Sequence, residues 1–289
     1  MKITNKYGLP ETFVTLASKE SYSKGNSEYS TTELMSSPRI RRLQEQYGHL
    51  MEKDVSEMIW TLMGSMVHLA LEGGKTEGHL TEERLFAEVD GVRISGQIDV
   101  QEETAEGTVI IDYKVTSAWK VMADTKDWET QLNIYKWFVE TVKRKKVIKL
   151  SVMAIIRDWS KHKMSTEGYP PSPIVTIDLP IWGSAQTELY IRQRLEEHRN
   201  SKVSSDFGEA LPLCSKEERW EKETTYAVKR EGRKTAIRVF KTKEEATLLA
   251  QKEKGYVETR LGESTCCTGN YCGVNQWCDQ FKGVKHDPS

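Results

Sequence analysis

The chain has 289 residues, of which 37% are apolar and 29% are charged, and its formal net charge is −1. This composition is typical of a globular protein of about two domains that can bury a core. The net charge near zero excludes a global attraction to polyanions, so any site for nucleic acid must be a local basic patch.

The N-terminal part of the chain predicts a polar start followed by helices. The stretch "MKITNKYGLPETF" lacks the apolar core of a signal peptide, and no apolar run reaches the roughly 18 residues of a membrane span. We therefore expect a cytoplasmic protein without a membrane partner. Ser36-Ser37-Pro38 predicts a helix start, and apolar residues at helical spacing over 40–71 predict two helices.

Strands and helices alternate in the middle of the chain. Residues 84–89, 92–100 and 108–116 are short strand-like runs separated by turn residues, which predicts a three-stranded meander. Residues 127–144 predict a helix that covers a sheet, and 149–159 and 174–179 predict further strands. Opposite charges over 184–200 predict an exposed helix.

A change in composition after "SSDFGEALP" predicts two domains, 1–204 and 205–289. In the second, strands at 224–230 and 234–241, a helix at 242–254 and a strand at 255–261 predict a small ββαβ unit. The five cysteines are Cys214, Cys266, Cys267, Cys272 and Cys278. An odd, crowded set without a secretion signal is a poor disulfide framework, so metal ligation is the better interpretation and free reduced thiols the alternative.

Metal-capable side chains flank the predicted meander. His68 lies on the helix before it, Asp99 closes its second strand and Asp112 its third. Neighbouring carboxylates resist joint ionisation unless a cation lies between them, and oxygen ligands favour Mg²⁺ or Mn²⁺. Lys114 should project beside Asp112, because residues i and i+2 of a strand share a face, and its charge can orient a water or stabilise a phosphorane-like transition state.

Each of these residues also has a simpler explanation. His68 alone is typical of a core or surface histidine, Asp99 of a residue at a strand end, and Asp112 with Lys114 of an ion pair of little energetic value. The ordered set favours a catalytic site.

The motifs "GSMVH", "GQID", "IIDYK" and "QLNIY", covering residues 64–135, resemble the PD-(D/E)xK nuclease superfamily. The match is specifically to its RecB-like exonuclease branch, in the phage type with a C-terminal cysteine cluster. The resemblance implies an α/β fold with an αβββαβ mixed sheet flanked by helices, followed by the small ββαβ and cysteine unit. It implies metal-dependent hydrolysis of DNA, from duplex ends or on single strands, in recombination or DNA processing, with a single-strand annealing protein as a possible partner.

The resemblance also implies roles for individual residues. His68, Asp99, Asp112 and the Tyr113 carbonyl would be metal ligands, and Lys114 the catalytic lysine. Gln131 and Tyr135 would position the scissile strand. Glu72 and Glu88 are candidates for a further acid, although an exposed glutamate is the simpler account of each.

Some RecB-like nucleases hold an iron–sulfur cluster with one cysteine before the histidine motif and three near the C-terminus. Here no cysteine precedes His68. The resemblance therefore implies Cys267, Cys272 and Cys278 as the trio, with Cys214 or Cys266 as the fourth ligand. Four thiolates suit a [4Fe–4S] cluster or Zn²⁺, and the role would be structural.

Two other functions are compatible with these motifs. A site-specific or structure-specific endonuclease uses the same core, and a non-cleaving DNA-end-binding protein keeps the fold without the chemistry. Three basic clusters are candidates for phosphate contact: Arg39, Arg41 and Arg42; residues 143–146; and Lys229, Arg230, Arg233 and Lys234.

Overall fold

The computed structural model describes residues 1–19, 23–74 and 76–282. Its strands are β1 (Lys2–Thr4), β2 (Tyr29–Ser30), β3 (Glu52–Asp54), β4 (His79–Val89), β5 (Val92–Glu103), β6 (Thr108–Thr116), β7 (Val147–Ile156), β8 (Ile174–Leu179), β9 (Thr225–Lys229), β10 (Arg238–Phe240) and β11 (Tyr256–Arg260). Its helices are α1 (Glu11–Ser18), α2 (Thr31–Met35), α3 (Pro38–Tyr47), α4 (Ile59–Glu72), α5 (Ala118–Met122), α6 (Lys126–Phe138), α7 (Ser184–Asp206), α8 (Lys243–Lys252), α9 (Thr265–Thr268) and α10 (Asp279–Lys282).

The predicted meander is present as β4, β5 and β6. Asp90 and Gly91 join β4 to β5, and both have positive φ, 51° and 75°. Positive φ at both positions is what a two-residue type I′ hairpin turn requires. The turn fixes the register of the hairpin, and the strands pair outward from Val89 and Val92.

The rest of the main sheet is built around the β6–α6–β7 crossover. β7 pairs parallel with β6, β8 pairs antiparallel with β7, and the short β2 pairs parallel with β5. A sheet of six strands results in the described part of the chain. With α4 before the meander, the order is αβββαβ, so the predicted fold class is confirmed.

The core of this sheet is closed by α6. Leu132 and Phe138 of α6 are fully buried with Ile98 of β5. A Cβ atom at Gly96 would lie 3.0 Å from the Phe138 ring and 3.0 Å from Thr31 Oγ1. Glycine at this position therefore lets α6 and α2 pack closely against β5.

The sequence predicted an exposed helix at α7, but one face of this helix is buried. Thr187, Ile191, Leu195 and His198 are buried along it. They recur at three- and four-residue spacing and form one face. The prediction was wrong because charged residues fill the other positions and obscure this narrow stripe.

The chain divides into two compact units. The first contains residues 1–36 and 52–203, and the second contains residues 37–51 and the chain from residue 204 onward. The predicted first domain, 1–204, therefore includes α3, which the structure groups with the second unit. Among the described residues, no helix has both the length and the apolarity to cross a membrane.

The second unit contains the predicted ββαβ arrangement. Its strands lie in the order β10-β9-β11, all antiparallel, and α8 packs on them through Ala246 and Ala250 against Val228. A separate apolar cluster joins Leu43 of α3 to Val274 and Cys278. The helix α3 thus completes the core around the C-terminal cysteines.

Candidate functional site

Two predicted acids lie where the β5–β6 ladder ends. The paired residues nearest this end are Val100 and Ile111, and the next two residues along the strands are Asp99 and Asp112. Asp99 Oδ2 accepts a hydrogen bond from the backbone N–H of Tyr113 at 2.7 Å. This hydrogen bond from the backbone of β6 to a side chain of β5 holds the Asp99 carboxylate beside β6.

His68, Glu82 and Asp99 form a compact group in the first unit. One potential ligand atom from each lies within 4.8 Å of the other two. His68 Nδ1 is 3.3 Å from Glu82 Oε1 and 3.5 Å from Asp99 Oδ1. The helix α4 and the strands β4 and β5 each supply one member, so the fold brings together residues that are distant in the sequence.

Glu82 is the functional candidate that sequence reasoning missed. Its φ is 52°, and the β4–β5 pairing omits it and Asp99 while continuing in the same register on both sides. Gln97 Nε2 donates to Glu82 Oε2 at 2.6 Å. The signal was present, because counting outward from the turn at 90–91 places Glu82 opposite Asp99.

Of the two glutamates predicted as a further acid, Glu88 lies outside this group. Glu88 is exposed on β4, where it pairs with Arg93 close to the hairpin turn. The side chain of Glu72 lies outside the described part of the structure. Among the described residues, Glu82 is the further acid that joins His68 and Asp99.

Asp112 and Lys114 project side by side from β6, as strand geometry predicts. Lys114 Nζ lies 2.6 Å from Asp112 Oδ2. The Asp112 side chain is buried, whereas a quarter of the Lys114 side chain is exposed. Burial opposes the charge on Lys114, but the attraction and hydrogen bond of Asp112 outweigh it and raise the lysine pKa. Lys114 is therefore a permanent cation with an accessible side.

The electrostatics of the group favour a bound cation. Burial, followed by the negative charge of Asp112, raises the pKa of Asp99 to about 7. The hydrogen bond with Glu82 is the main cause of a raised pKa at His68, and the same bond lowers the pKa of Glu82. Several acids and an imidazole converge on one place, and a divalent metal ion relieves their repulsion. The donor set fits Mg²⁺ or Mn²⁺.

The remaining predicted active-site residues lie on β6 and α6. The Tyr113 ring meets the His68 ring edge-on at 6.1 Å between centroids. Gln131 and Tyr135 are one helical turn apart on α6, and both are buried. Gln131 Nε2 donates to the Tyr135 hydroxyl at 2.7 Å, so the two side chains form one polar pair.

The cysteines converge in the second unit. All five cysteines line one cavity: Cys214, Cys266, Cys267, Cys272 and Cys278. Burial raises the pKa of Cys214 to about 11 and that of Cys266 to about 12, and it also raises the pKa of Cys267 and Cys272. The candidate metal group found among the described residues, His68 with Glu82 and Asp99, does not include these cysteines.

The basic clusters are only partly available for phosphate. Arg39 and Arg42 are buried, which the interpretation of 39–42 as phosphate contacts did not foresee. Ion pairs join Lys143 to Glu83, Lys145 to Glu103, Lys229 to Glu258 and Arg230 to Glu253. Lys146, Arg233 and Lys234 are exposed and stay candidates for DNA contact.

Comparison with known proteins gives a family match and similarities to solved structures. The sequence model of the PD-(D/E)XK nuclease superfamily matches residues 30–279. The crystal structure of SSO0001 is similar over 64% of this chain and 83% of that chain, with 18% identity and a TM-score of 0.45. A search of curated proteins gives no match.

Proposed function

Because this chain belongs to the PD-(D/E)XK nuclease superfamily, we propose that it is a metal-dependent DNA exonuclease that hydrolyses phosphodiester bonds from DNA ends. Its pathway would be phage or bacterial recombination or DNA processing in the cytoplasm, with a single-strand annealing protein as a partner. Nucleases of this superfamily use divalent metals and act on DNA. What we propose beyond this is that hydrolysis starts at DNA ends and that it serves this pathway.

One observation carries the assignment of chemistry: the His68, Glu82 and Asp99 group lies beside the Asp112–Lys114 pair. His68, Glu82 and Asp99 would hold the Mg²⁺ or Mn²⁺ ion. Asp112 raises the pKa of Asp99 by its charge, which supports Asp112 as a further ligand. The Tyr113 carbonyl completes the proposed set.

The metal, when bound, would lower the pKa of a coordinated water and neutralise charge on the phosphate. Lys114 remains protonated, since its pKa is raised, so it serves as a hydrogen-bond donor and not as a base. Its accessible side can reach a phosphate oxygen and stabilise the charge that develops there. Gln131 and Tyr135 would position the scissile strand through their shared hydrogen bond.

The preference for ends is tested with one DNA sequence in three forms. Linear, nicked and covalently closed circular DNA, with label at the ends of the linear form, are incubated with Mg²⁺. An exonuclease degrades the linear form and leaves the closed circle intact. Linearisation of the closed circle would instead identify an endonuclease, and binding to ends without cleavage of any form would identify a non-cleaving end-binding protein.

We also propose that Cys214, Cys267, Cys272 and Cys278 hold a [4Fe–4S] cluster, with Zn²⁺ as the alternative. The shared cavity supports a centre where a cation replaces the thiol protons. The resemblance to RecB-like nucleases favours the cluster over zinc.

Elemental analysis of protein purified without oxygen separates these forms. Iron with acid-labile sulfide supports the cluster, and one zinc per chain supports zinc. Neither metal, with all thiols freely alkylated in the native protein, would identify the cysteines as ordinary reduced residues.

A further inference from the structure

Two residues at the start of α3 contact two different cysteines of the cavity. The Ser37 Oγ lies 3.1 Å from Cys214 Sγ. Arg39 Nε donates to Cys278 Sγ at 3.3 Å. All four residues belong to the second unit, and the segment that carries Ser37 and Arg39 is far from both cysteines in the sequence.

Arg39 is held so that its Nε faces the sulfur. Only 1% of the residue is exposed. Its NH1 donates to the carbonyls of Leu211 at 2.7 Å and Pro212 at 3.2 Å, and its NH2 pairs with Asp279. These partners hold the guanidinium, a planar group with several N–H donors, beside Cys278.

The Arg39–Cys278 contact is one that a metal-bound sulfur would strengthen. A neutral thiol sulfur is a weak acceptor, whereas a charged donor and an ionised acceptor make a stronger hydrogen bond. Four thiolates carry more negative charge than the metal they surround, so the centre as a whole would be anionic. A buried anionic centre needs a neighbouring cation, and Arg39 is placed to supply it.

A second set of contacts fixes Cys214 in the same structure. Its N–H donates to Gln280 Oε1 at 2.8 Å, and its carbonyl accepts from Gln280 Nε2 at 3.0 Å. Gln280 follows Cys278 and Asp279 directly in the sequence. The backbone of Cys214 is thus hydrogen-bonded to the segment 278–280, which also contacts Arg39. This arrangement favours Cys214 over Cys266 as the fourth ligand.

We infer that Ser37 and Arg39 are positioning residues of the metal–thiolate centre, which hold the sulfurs of Cys214 and Cys278 toward the metal and offset part of its negative charge. This inference rests on the proposed cysteine centre. In the segment "SSPRIRR", residues 36–42, Ser37 and Arg39 would thus support the cysteine centre and would not contact phosphate.

The test compares metal release from variants of the full chain purified without oxygen. Arg39→Met should release its iron or zinc to excess EDTA about 10- to 100-fold faster than wild type, the range for losing a partner of a metal ligand. It should also shift the sulfur-to-metal absorption band. Arg39→Lys keeps the charge and should release metal at an intermediate rate, and Ser37→Ala should show a smaller acceleration.

Arg41→Met is the matched control. Arg41 lies on the same helix, pairs with Glu45 at 3.1 Å and does not line the cavity. This variant should release metal at the wild-type rate and keep the wild-type absorption band. It removes one arginine of the segment without touching a cysteine.

The outcomes separate the inference from the centre on which it rests. A metal-free wild type overturns both. A metal-loaded wild type with equal release rates in Arg39→Met and Arg41→Met overturns the inference alone. Lower thermal stability of Arg39→Met with an unchanged absorption band identifies a merely structural arginine and also overturns it. If Arg39→Met does not fold, unchanged release in both Arg39→Lys and Ser37→Ala overturns the inference in its place.

Discussion

The acid group of the first unit and the cysteine cavity of the second are built in opposite ways. Glu82, Asp99, Asp112 and Lys114 lie on three consecutive strands, so the register of the sheet places them. The cysteines lie in loops and in very short helices such as α9, where packing of irregular segments places them. The positions of the acids therefore depend on the hydrogen bonds of the sheet. The positions of the cysteines depend on the packing of a small apolar core.

Each site nevertheless contains a fixed cation against one of its acidic groups. Lys114 contacts Asp112, and Arg39 contacts Cys278. Lys114 keeps a quarter of its side chain exposed, whereas Arg39 has 1% of its surface exposed. A substrate can reach the first cation and not the second, which agrees with the catalytic role proposed for Lys114 and the positioning role proposed for Arg39.

The largest expected effect is on DNA cleavage. Asp112→Ala, Asp99→Ala and Lys114→Ala should each reduce the rate by at least about a hundredfold. The two acids would hold the metal and the lysine would face the reacting phosphate, so each loss removes stabilisation of the transition state. The rate is measured on end-labelled linear DNA with Mg²⁺, beside circular dichroism to confirm folding. Asp178→Ala, in β8 of the same sheet, is the control and should cleave as wild type. Wild-type cleavage by Asp112→Ala would contradict the site.

The next effect concerns the second unit alone. For a small module held by a metal, ligation free energy is folding free energy, so Cys272→Ser should destabilise residues 205–282 while leaving the acid group intact. Hydrogen exchange followed by mass spectrometry should show lost protection in β9–β11 and α8, with β4–β7 unchanged. Equal loss of protection in both units would show that the cysteines do not stabilise a separate module.

Metal binding at the acid group should also stabilise the protein without DNA. At a hundredfold excess over its dissociation constant, Mn²⁺ adds about 2.7 kcal/mol to the free energy of unfolding. The gain is measured as a rise in the thermal unfolding midpoint. Glu82→Gln should blunt it, and Glu88→Gln, an exposed position on the same strand, should not. An equal rise in both variants would remove Glu82 from the ligand set.

The smallest effect comes from Asp54, a carboxylate with the opposite pKa shift to Asp99. Hydrogen bonds from the Ser56 side chain and the Lys6 N–H lower the pKa of Asp54 below its ordinary 3.8. A lowered folded pKa stabilises the fold above the unfolded pKa, and this contribution is lost as pH falls through the folded value. Asp54→Asn should therefore lower the unfolding midpoint at pH 7.

The pH dependence of that difference is the check on Asp54. The gap between Asp54→Asn and wild type should narrow as the pH falls below about 4, where the unfolded carboxylate takes up its proton. Thermal unfolding from pH 7 to pH 3 measures it. A gap that stays constant over this range would mean that the carboxylate charge does not stabilise the fold.

Much of the first unit was predictable because periodicity and turn chemistry are local signals. The strands of the meander and the pairing of Asp112 with Lys114 follow from alternation and from the Asp90–Gly91 turn. Glu82 was missed because the predicted strand began at residue 84, whereas β4 begins at His79, although the hairpin register pointed to it.

In the second unit the ββαβ arrangement was predictable, but the contacts of the cysteines were not. The cysteine spacing indicated a shared site, but no local pattern indicates that Arg39 is buried against Cys278. The arginines of α3 look solvent-exposed by charge alone, and the partners that make burial favourable are far away in the sequence: Leu211, Pro212 and Asp279. Such contacts depend on tertiary packing.

The central claim is that His68, Glu82 and Asp99 hold the metal while Lys114 acts on the phosphate. It is tested most directly by the cleavage rate of linear DNA as a function of Mn²⁺ concentration. Glu82→Gln should raise the Mn²⁺ concentration for half-maximal rate by at least about tenfold, whereas Lys114→Met should lower the maximal rate without changing that concentration. Glu82→Gln with an unchanged Mn²⁺ requirement, or Lys114→Met with full maximal rate, would contradict the account.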